Sequence, residues 1–513
     1  MPLELWGGHE QSVVRTGDIY YDQTIVQGHQ DRIGDLELFA SLGIKALRYP
    51  VLWERVSPNR PDQRDFSWED QRLRAIRKLG IKPIIGLLHH GSGPRYTGLL
   101  DPDFASGLAA HARACAERYA WVDDWNPVNE PLTTARFSCL NGAWYPEKTR
   151  DEGAFWLALL NEVNGVRLSM RAIREVNPRA RLIQTDDLGY SHATPALAEQ
   201  AEFENHRRWI TWDLLCGRVV PGHPLWARIA ASGHDRRLGE IADDPCPPQV
   251  IGANYYAASE RVLDQRLGGY AGMAGQDGPG DYANADAARS IARPLIGLEG
   301  LLTQAWERYG IPLAVTETHN VGSRDEQMRW ILETWRSCER LRQDGVRVEA
   351  VTAWALLGSF DWKTLGVEQA RRYEVGVWDI GSGEPRATAL VPLLRALSRG
   401  EEPPPSPAFA SPGWWRNDER FGHDTEGRKL KRVEDLIPAP DHRPQSPPVI
   451  IPSRPILITG LTGTLGRGFD HCCHRRGLPH VMTERAELQL EDRPLIDQAL
   501  RKHRPYAVIN AAG

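Results

Sequence analysis

The sequence predicts an α/β protein with three parts: a (β/α)8 TIM barrel, a proline-rich linker and an incomplete Rossmann-type segment. Short apolar runs rich in β-branched residues alternate with segments of helical period over residues 1–398. Proline is concentrated in residues 399–452. In residues 453–513, a strand-like run leads directly into a glycine-rich loop and a helical stretch. These three ranges are the predicted domain boundaries.

Eight apolar runs of strand length support the barrel. They cover residues 3–8, 44–51, 82–90, 122–131, 181–187, 250–256, 312–317 and 348–357. The stretches between them have helical period, and several end at glycine as helices commonly do. The clearest of these predicted helices are 30–42, 68–79, 155–176 and 325–343. Eight strand–helix units over about 400 residues are typical of a (β/α)8 barrel with long insertions.

Composition restricts the kind of partner. The 62 basic and 67 acidic residues are well mixed and give a net charge of -5, which favours neither nucleic acid nor an anionic membrane as a partner. The ratio of 18 Trp to 10 Phe suits a carbohydrate ligand, because Trp joins a flat apolar face to one N–H donor, but most of these Trp fit an ordinary core as well.

The cysteines and the apolar runs indicate a compartment. Seven scattered cysteines without CxxC spacing predict neither a disulfide framework nor a zinc site. No run approaches the roughly 18 apolar residues of a membrane span, and the first residues do not resemble a signal peptide. We expect a soluble, cytoplasmic protein, and the sequence does not define its oligomeric state.

Polar and aromatic residues gather where the predicted barrel strands end. The carboxyl ends of the strands share one face of a (β/α)8 barrel, which is where the chemistry takes place. Each side chain alone fits a structural role, but their occurrence at the same end predicts a functional site. The residues are Arg48, His89, His90, Asn129, Glu130, Asn254, Tyr256, Glu317, Trp354, Asp361 and Trp362.

Two of these residues, Glu130 and Glu317, are glutamates at the ends of apolar strands. Each one alone would be explained as the cap of the following helix. A buried, unpaired carboxylate is costly or has a raised pKa, however, so a pair of them favours a chemical role.

The proline-rich stretch 399–452 has two interpretations. Its composition is typical of an extended linker, partly in polyproline II conformation, with little core of its own. Alternatively it is a strap packed along the barrel, with Trp414, Trp415 and Phe421 as anchors.

The last part of the chain contains the glycines Gly460, Gly463 and Gly466 between a predicted strand at 455–459 and a helix. Glycines at this spacing let the backbone approach a pyrophosphate at a helix N-terminus. A second strand at 480–482 supplies the context that this motif requires.

With these residues identified, residues 1–398 resemble the family 1 glycoside hydrolases, the β-glucosidase family of retaining barrels. The segment Asn129-Glu130-Pro131 is similar to the family's acid/base motif, and Thr316-Glu317 is similar to its nucleophile motif. The catalytic residues that the resemblance implies are Glu130 (acid/base), Glu317 (nucleophile), Arg48 and Tyr256. The substrate-binding residues that it implies are His89, His90, Asn129, Asn254, Trp354, Asp361, Trp362 and Glu10.

Three positions depart from the family pattern. Asp361 stands where the family usually has a Glu that holds the outer hydroxyls of the sugar. The family's Gln-x-Glu-Gly element is absent, and Glu10 or His9 would have to replace it. Thr318-His319 replaces the usual Asn-Gly after the nucleophile.

The resemblance implies a two-step reaction on a β-glycoside. Glu317 would attack the anomeric carbon while Glu130 protonates the departing oxygen, and Glu130 would then activate water as a base. The two carboxyl groups should be about 5 to 5.5 Å apart. We expect a raised pKa at Glu130, and we expect Arg48 and Tyr256 to keep Glu317 ionised.

Residues 453–513 resemble the start of an extended short-chain dehydrogenase/reductase, most like dTDP-4-dehydrorhamnose reductase. The matching segments are 458–466, the cofactor loop, and 508–513, the fourth-strand motif. Arg485 after the second strand implies NADP, whereas Glu484 beside it suits NAD. The family's Tyr-x-x-x-Lys pair is absent from this range, so we expect no reductase activity from the sequence given.

Three functional hypotheses follow. In the first, the barrel hydrolyses β-glycosides without a cofactor or metal. In the second, the principal activity belongs to a NADP-dependent nucleotide-sugar reductase of which this chain carries the first part. In the third, the barrel binds or transfers sugars. A downstream Tyr-x-x-x-Lys pair would favour the second hypothesis, and product analysis with an added acceptor sugar would separate the first from the third.

Overall fold

The computed structural model describes residues 2–266, 274–275, 282–291, 295–416, 454–461, 463–475, 477–484 and 487–511. The described chain divides into two compact units. The first unit contains the described residues up to Pro403, and the second begins at Pro404 and includes residues 454–511.

The first unit is built on a closed barrel of eight parallel strands, as predicted. In chain order the strands are β1 (Glu4–Gly8), β2 (Ala46–Pro50), β3 (Lys82–His89), β4 (Asp124–Asn129), β5 (Arg181–Asp187), β6 (Val250–Tyr256), β7 (Leu313–His319) and β8 (Val348–Ala353). Each strand pairs with its neighbours in the chain, and β1 closes the ring because Gly7 lies beside Ala353 of β8 and Leu47 of β2.

The strand bounds differ from the prediction mainly at the last two strands. Strand β7 continues two residues beyond Glu317, to His319. Strand β8 ends at Ala353 rather than at residue 357, because the chain then turns and the Gly358 N–H bonds to the Ala355 carbonyl.

The barrel interior is a packed core. One layer takes a side chain from seven of the eight strands, with Trp6, Ala46, Ile84, Ile183, Val250, Ala314 and Ala350 all buried. At the upper end of β1 a glycine is required, since a Cβ at Gly8 would lie 2.5 Å from the ring of Trp354. The large Trp354 ring therefore occupies space that Gly8 leaves open.

Helices surround the barrel in the expected alternation. The longer ones are Asp35–Ala40, Ser67–Lys78, Phe104–Arg118, Pro131–Cys139, Glu152–Val176, Ala198–Arg207, Ile210–Leu215, Asp235–Asp243, Gly297–Tyr309, Arg324–Gln343 and Leu390–Ser398. Arg324–Gln343 shows why they form: the Ser323 side chain caps its first turn by accepting from the Glu326 N–H. Acidic residues in its first turn and basic residues in its last turn complement the helix dipole.

Insertions after β5 and β6 form a second sheet that the sequence analysis did not predict. Its four strands lie in the order Ala274–Gly275, Tyr282–Asp286, Glu260–Asp264 and Tyr190–Ala193. Tyr190–Ala193 and Glu260–Asp264 run parallel and come directly after β5 and β6, so this sheet lies above the carboxyl ends of those strands.

The second unit contains a three-stranded parallel sheet. Ile456–Thr459 is the central strand, between His480–Thr483 and Ala507–Asn510. The crossover helices are Thr464–Arg475 and Arg493–His503. Residues 404–416 of the proline-rich stretch belong to this unit, and the Tyr506 hydroxyl donates to the Pro407 carbonyl at 3.1 Å. Phe421, the third proposed anchor, lies outside the described residues.

Among the described residues, no helix combines the length and the apolar character needed to cross a bilayer.

Candidate active site

The carboxyl ends of the barrel strands bring the predicted residues together. Arg48 comes from β2, Asn129 and Glu130 from the end of β4, Asn254 and Tyr256 from β6, and Glu317 from β7. Five of the six are buried and Tyr256 is partly buried, and direct hydrogen bonds connect them.

Glu317 is held by two donors from different strands. A register shift in β7 between Val315 and Glu317 places Glu317 opposite Asn254 of β6, a local irregularity of the kind found beside active sites. Arg48 Nη1 donates to Glu317 Oε1 at 2.7 Å, and the Tyr256 hydroxyl donates to Oε2 at 2.5 Å. The following helix is capped by Ser323, so Glu317 is not its cap.

The surroundings of Glu317 have opposing effects on its pKa. Burial is the larger effect and raises the pKa of Glu317 above its usual value. The charge and hydrogen bond of Arg48 and the hydroxyl of Tyr256 act in the opposite direction and lower the pKa. The two donors thus favour the ionised carboxylate in a site where burial disfavours it.

Glu130 occupies the last position before the helix Pro131–Cys139, with a positive φ of 47°. Its side chain makes no capping hydrogen bond to that helix. Instead Glu130 Oε1 accepts from Asn254 Nδ2 at 2.5 Å. The structure therefore directs this carboxyl into the site rather than to the helix end.

The pKa of Glu130 is raised well above its usual value. Burial is the largest cause, followed by the negative charges of Glu317, Asp187 and Asp186, and the hydrogen bond from Asn254 opposes them. The two glutamates thus have different environments: Glu317 accepts from a guanidinium group, whereas Glu130 accepts from an amide and has negative charges nearby.

Asn129 connects the two sides of the site. Its Oδ1 accepts from Arg48 Nη2 at 2.7 Å and from Thr185 Oγ1 at 2.8 Å, and its Nδ2 lies 3.1 Å from His89 Nε2. These bonds fix the Arg48 guanidinium, which in turn holds Glu317.

Both predicted histidines lie at the site. The His89 ring stacks on Trp354 at 5.6 Å between centroids, and His90 Nε2 is 3.8 Å from Glu130 Oε2. Burial lowers the pKa of His90 to about 3 and that of His89 well below its usual value, so both rings are neutral at pH 7.

Aromatic rings complete one wall of the site. The Arg48 guanidinium lies over Trp354 at 4.7 Å. The His90 ring contacts Trp362 at 5.5 Å and Trp144 at 5.0 Å between centroids. Trp144 was not among the predicted residues, because it comes from the connection after the helix Pro131–Cys139 and not from a strand end.

Asp361 is only 1% exposed, and protein groups contact both of its carboxylate oxygens. Oδ2 accepts from the Tyr21 hydroxyl at 2.6 Å and from the Arg371 N–H at 2.9 Å, and Oδ1 accepts from the Arg372 N–H at 2.7 Å. The carboxylate predicted to hold sugar hydroxyls thus connects the strand Ile19–Asp22, which contains Tyr21 and pairs with Val13–Thr16, to the chain at 371–372.

Glu10 and His9 lie on different sides of β1. Glu10 Oε1 accepts from the Ser12 N–H and lies 3.8 Å from His89 Nε2, at the site. Burial and the charge of Glu317 raise the pKa of Glu10 to about 7. His9 packs instead against the rings of His29 and Tyr49, so of the two candidates Glu10 is the one near the other site residues.

The acidic pair Asp186 and Asp187 at the end of β5 was not among the predicted residues. Like the predicted residues, however, these two lie where a barrel strand ends. Asp186 Oδ2 accepts from Thr211 Oγ1 at 2.5 Å, and Asp187 Oδ1 accepts from Ser259 Oγ at 2.5 Å. Burial raises the pKa of Asp186 to about 7 and that of Asp187 to about 6.

In the second unit, Gly460 follows the central strand with a φ of 82°. A Cβ at Gly466 would lie 2.0 Å from the Gly460 carbonyl oxygen, so the helix can approach the strand only with glycine there. Gly463 lies between them in the same loop. Arg485 lies outside the described residues. Within the described residues, no group of three or more His, Cys, Asp or Glu side chains is arranged to hold a metal ion.

Comparison with solved structures supports the fold of the first unit. The solved structure of a β-glucosidase from Thermotoga maritima in complex with cyclophellitol superposes with a TM-score of 0.62 at 17% identity, covering 78% of this chain and 98% of that chain. The fold is thus that of a β-glucosidase-like (β/α)8 barrel.

Sequence comparison points to one family. Residues 14–214 match the family model described as Glycosyl hydrolase family 1. A 6-phospho-beta-glucosidase from Clostridium longisporum is 23% identical over 157 residues, 28% of this chain and 33% of that protein. Beta-glucosidase 47 from Arabidopsis thaliana is 24% identical over 379 residues, 64% of this chain and 68% of that protein. The chain therefore spans a third of the first relative and about two thirds of the second.

Proposed function

We propose that the barrel is a retaining β-glycosidase in which Glu317 is the nucleophile and Glu130 is the acid/base. The observation that carries this proposal is the position of Asn254 between the two glutamates. Its Nδ2 donates to Glu130 Oε1 at 2.5 Å, and a hydrogen bond from the same side chain lowers the pKa of Glu317.

The position of Asn254 supports the retaining mechanism. A retaining enzyme needs carboxyl groups about 5 to 5.5 Å apart, whereas an inverting enzyme needs about 6.5 to 9.5 Å to admit a water. Because Asn254 donates to Glu130 and lies opposite Glu317 in the pairing of β6 with β7, the shorter separation fits better.

The charges around the two glutamates match the two roles. Arg48 and Tyr256 favour the ionised form of Glu317, which can then attack the anomeric carbon. Burial and the charge of Glu317 keep Glu130 protonated, so it can give its proton to the leaving oxygen. Once Glu317 is esterified its charge is lost, the pKa of Glu130 falls, and Glu130 can take a proton from the incoming water. Side chains of this chain supply every group in these steps, so the reaction requires no cofactor.

The names of the relatives suggest a β-glucoside or a 6-phospho-β-glucoside as the substrate. A panel of aryl β-glycosides (glucoside, 6-phosphoglucoside, galactoside, fucoside, mannoside and xyloside) tests the proposal and identifies the sugar. We expect turnover of at least one member, a loss of about 10³-fold or more in Glu317→Ala, and rescue by azide as an α-glycosyl azide.

The matched control is Glu368→Ala, since Glu368 is exposed and lies outside the site. We expect this variant to behave as the wild type. A folded wild-type protein that turns over none of the panel, or a Glu317→Ala variant that retains full activity, would overturn the proposal.

We also propose that residues 453–513 form part of a dinucleotide-binding domain similar to the short-chain dehydrogenases/reductases, with the proline-rich stretch 399–452 leading into it. The glycine-lined turn between the central strand and the helix Thr464–Arg475 supports this proposal. The loop and the helix N-terminus would hold the pyrophosphate, and the bound dinucleotide would supply hydride chemistry.

Calorimetric titration of the whole chain with NADP+ and with NAD+ tests dinucleotide binding. We expect Gly463→Ala to weaken binding by about tenfold or more, because a methyl group would enter the loop. Gly468→Ala is the control, since a Cβ there would meet nothing within 4 Å. Absence of binding by the wild type would refute this second proposal without affecting the first.

A further inference from the structure

His90 follows strand β3 and lies beside the acid/base residue. Its Nε2 is 3.8 Å from Glu130 Oε2, and it is only 4% exposed. Both His90 and Glu130 have a positive φ, 55° and 47°, a conformation that is costly for residues other than glycine. The backbone is thus strained at two neighbouring strand ends, where an imidazole lies beside the acid/base carboxyl.

Aromatic neighbours and one hydroxyl fix the orientation of the His90 ring. The rings of Trp144 and Trp362 contact it at 5.0 and 5.5 Å between centroids. Its Nδ1 lies 3.2 Å from Thr134 Oγ1, in the helix that begins directly after Glu130. Because one helix both follows Glu130 and contacts His90, the imidazole and the carboxyl are held in a fixed arrangement.

Asn129 determines which ring nitrogen of His90 carries the proton. Asn129 Oδ1 accepts from Arg48, so the amide atom that faces His90 Nε2 at 3.4 Å is the donor Nδ2. Nε2 is therefore the unprotonated nitrogen, and the Nδ1–H group donates to Thr134. Burial lowers the pKa of His90 to about 3, so the ring is neutral at pH 7. Since the contact from Asn129 is long, the lone pair of Nε2 is available to a further donor.

The hydrogen bond from Asn254 identifies the reactive oxygen of Glu130. Asn254 Nδ2 donates to Glu130 Oε1 at 2.5 Å, so Oε1 is an acceptor. In the protonated carboxyl the proton is therefore on Oε2, the oxygen that lies beside His90. Oε2 is thus the atom that gives a proton to the leaving group in the first step and takes one from water in the second.

The distance between Glu130 Oε2 and His90 Nε2 suits one water molecule that donates to both. A hydrogen bond of water is about 2.8 Å long, so one water oxygen can contact both atoms across 3.8 Å. Both hydrogens of such a water point to acceptors, and its lone pairs are free to react with carbon. The two side chains together therefore orient a water for nucleophilic attack.

We propose that His90 is a further catalytic residue, which binds the attacking water of the second step together with Glu130. The inference rests on the proposed glycosidase function. The water oxygen attacks the anomeric carbon, the bond from that carbon to Glu317 breaks, and its electron pair returns to the Glu317 carboxylate. One water proton moves to Glu130 Oε2. The other stays on the new anomeric hydroxyl, which donates to His90 Nε2.

Steady-state kinetics of the whole chain separates the two steps. The value of kcat/KM reports the first step, and kcat for the 2,4-dinitrophenyl β-glycoside of the preferred sugar reports the second, because this leaving group departs readily. We expect His90→Phe to lower that kcat by about tenfold or more, since the ring packing is kept and the acceptor is lost. The kcat/KM should change by less than about threefold.

Methanol distinguishes a water-binding role from a structural one. Methanol has one O–H group, which Glu130 accepts, so its attack requires no second acceptor. At a fixed methanol concentration, the ratio of methyl glycoside to free sugar should therefore rise by about tenfold in His90→Phe. Thr134→Val keeps the His90 ring and removes the partner of its Nδ1, and it should raise the ratio by about threefold.

The matched controls are Thr133→Val and His206→Phe. Thr133 precedes Thr134 in the same helix and is partly exposed, and His206 is partly exposed on the helix Ala198–Arg207. Both variants should keep the wild-type kcat and the wild-type ratio of products.

Two results would overturn the assignment of His90. One is an unchanged ratio of products in His90→Phe and Thr134→Val, and the other is a loss of kcat/KM as large as the loss of kcat. If His90→Phe does not fold, the ratio in Thr134→Val decides. A folded wild type that turns over no glycoside refutes the glycosidase proposal and this one with it, whereas hydrolysis with an unchanged ratio refutes this one alone.

Discussion

The Tyr21 hydroxyl donates a hydrogen bond of 2.6 Å to the Asp361 carboxylate, joining residues 340 positions apart in the chain. Burial alone would raise the pKa of Asp361, but this hydroxyl and the backbone N–H groups of Arg372 and Arg371 lower it below its usual value. A side chain expected to hold the sugar is thus ionised and held by the protein itself.

The first prediction concerns this contact. We expect Tyr21→Phe to lower the free energy of unfolding by about 1–2 kcal/mol, because a buried carboxylate loses one of its hydrogen-bond donors. The kcat/KM for aryl glycosides should change by less than about twofold, since the two N–H donors still hold Asp361. Urea unfolding and steady-state kinetics measure the two effects.

The control is Tyr20→Phe. The Tyr20 hydroxyl donates to the neutral Gly93 carbonyl, so its loss should lower the stability less. Unchanged stability with a large rise in KM would show that Asp361 binds the sugar.

The second prediction concerns the nucleophile. Tyr256→Phe removes a donor that lowers the pKa of Glu317, so that pKa should rise. The acidic limb of the kcat/KM profile should therefore move to higher pH, and the maximum should fall by about 10- to 100-fold. Tyr255→Phe is the control, because Tyr255 stacks on Trp330 away from Glu317. An acidic limb that stays in place in Tyr256→Phe would contradict the assigned role.

The third prediction concerns the acid/base residue. The charge of Asp187 raises the pKa of Glu130, so Asp187→Asn should lower it. Activity requires protonated Glu130, and the alkaline limb of the kcat/KM profile should move to lower pH. Asp124→Asn, at the opposite end of β4, should leave that limb unchanged. An unmoved limb in Asp187→Asn would show that Asp187 does not contribute to the pKa of Glu130.

The fourth prediction concerns stability rather than catalysis. Burial raises the pKa of Glu54 from 4.5 to about 7, and its Oε2 has no hydrogen-bond partner among the described residues. Between those pH values the folded state binds more protons than the unfolded state, so its stability falls as pH rises.

Glu54→Gln cannot titrate and isolates this effect. Relative to the variant, the wild type should lose about 3 kcal/mol of unfolding free energy between pH 4.5 and pH 7, at about 1.4 kcal/mol per unit of pKa shift. Urea unfolding of both proteins across this pH range measures the difference between their free energies of unfolding. The contributions of the other titrating groups are the same in both proteins and cancel in that difference. A difference that does not vary with pH would show that Glu54 has an ordinary pKa in the folded protein.

The sequence determined the barrel and the candidate residues because both depend on local pattern. Short apolar runs that alternate with segments of helical period located all eight strands, and the parallel topology then requires every strand end to share one face. Arg48, Glu130, Asn254 and Glu317 could therefore be placed together before any contact was known.

The local hydrophobic pattern did not predict the short strands of the inserted sheet. The inserted sheet contains Ala274–Gly275 and Tyr190–Ala193, which are too short to show a period, and Tyr190–Ala193 pairs with Glu260–Asp264 across about 70 residues of chain. Asp187 was overlooked for a different reason, because β5 was predicted without attention to its polar end.

The sequence by itself determined which residues could act, and the tertiary structure decided which groups they contact. In the sequence, Glu130 and Asp361 are both carboxylates expected at the site. In the structure, Asn254 donates to Glu130 within the site, whereas Tyr21 donates to Asp361 in a contact that joins two parts of the protein. Such a difference depends on hydrogen-bond partners more than 100 positions away. Local hydrophobic pattern carries no information about those distances, so only the folded barrel could separate the two roles.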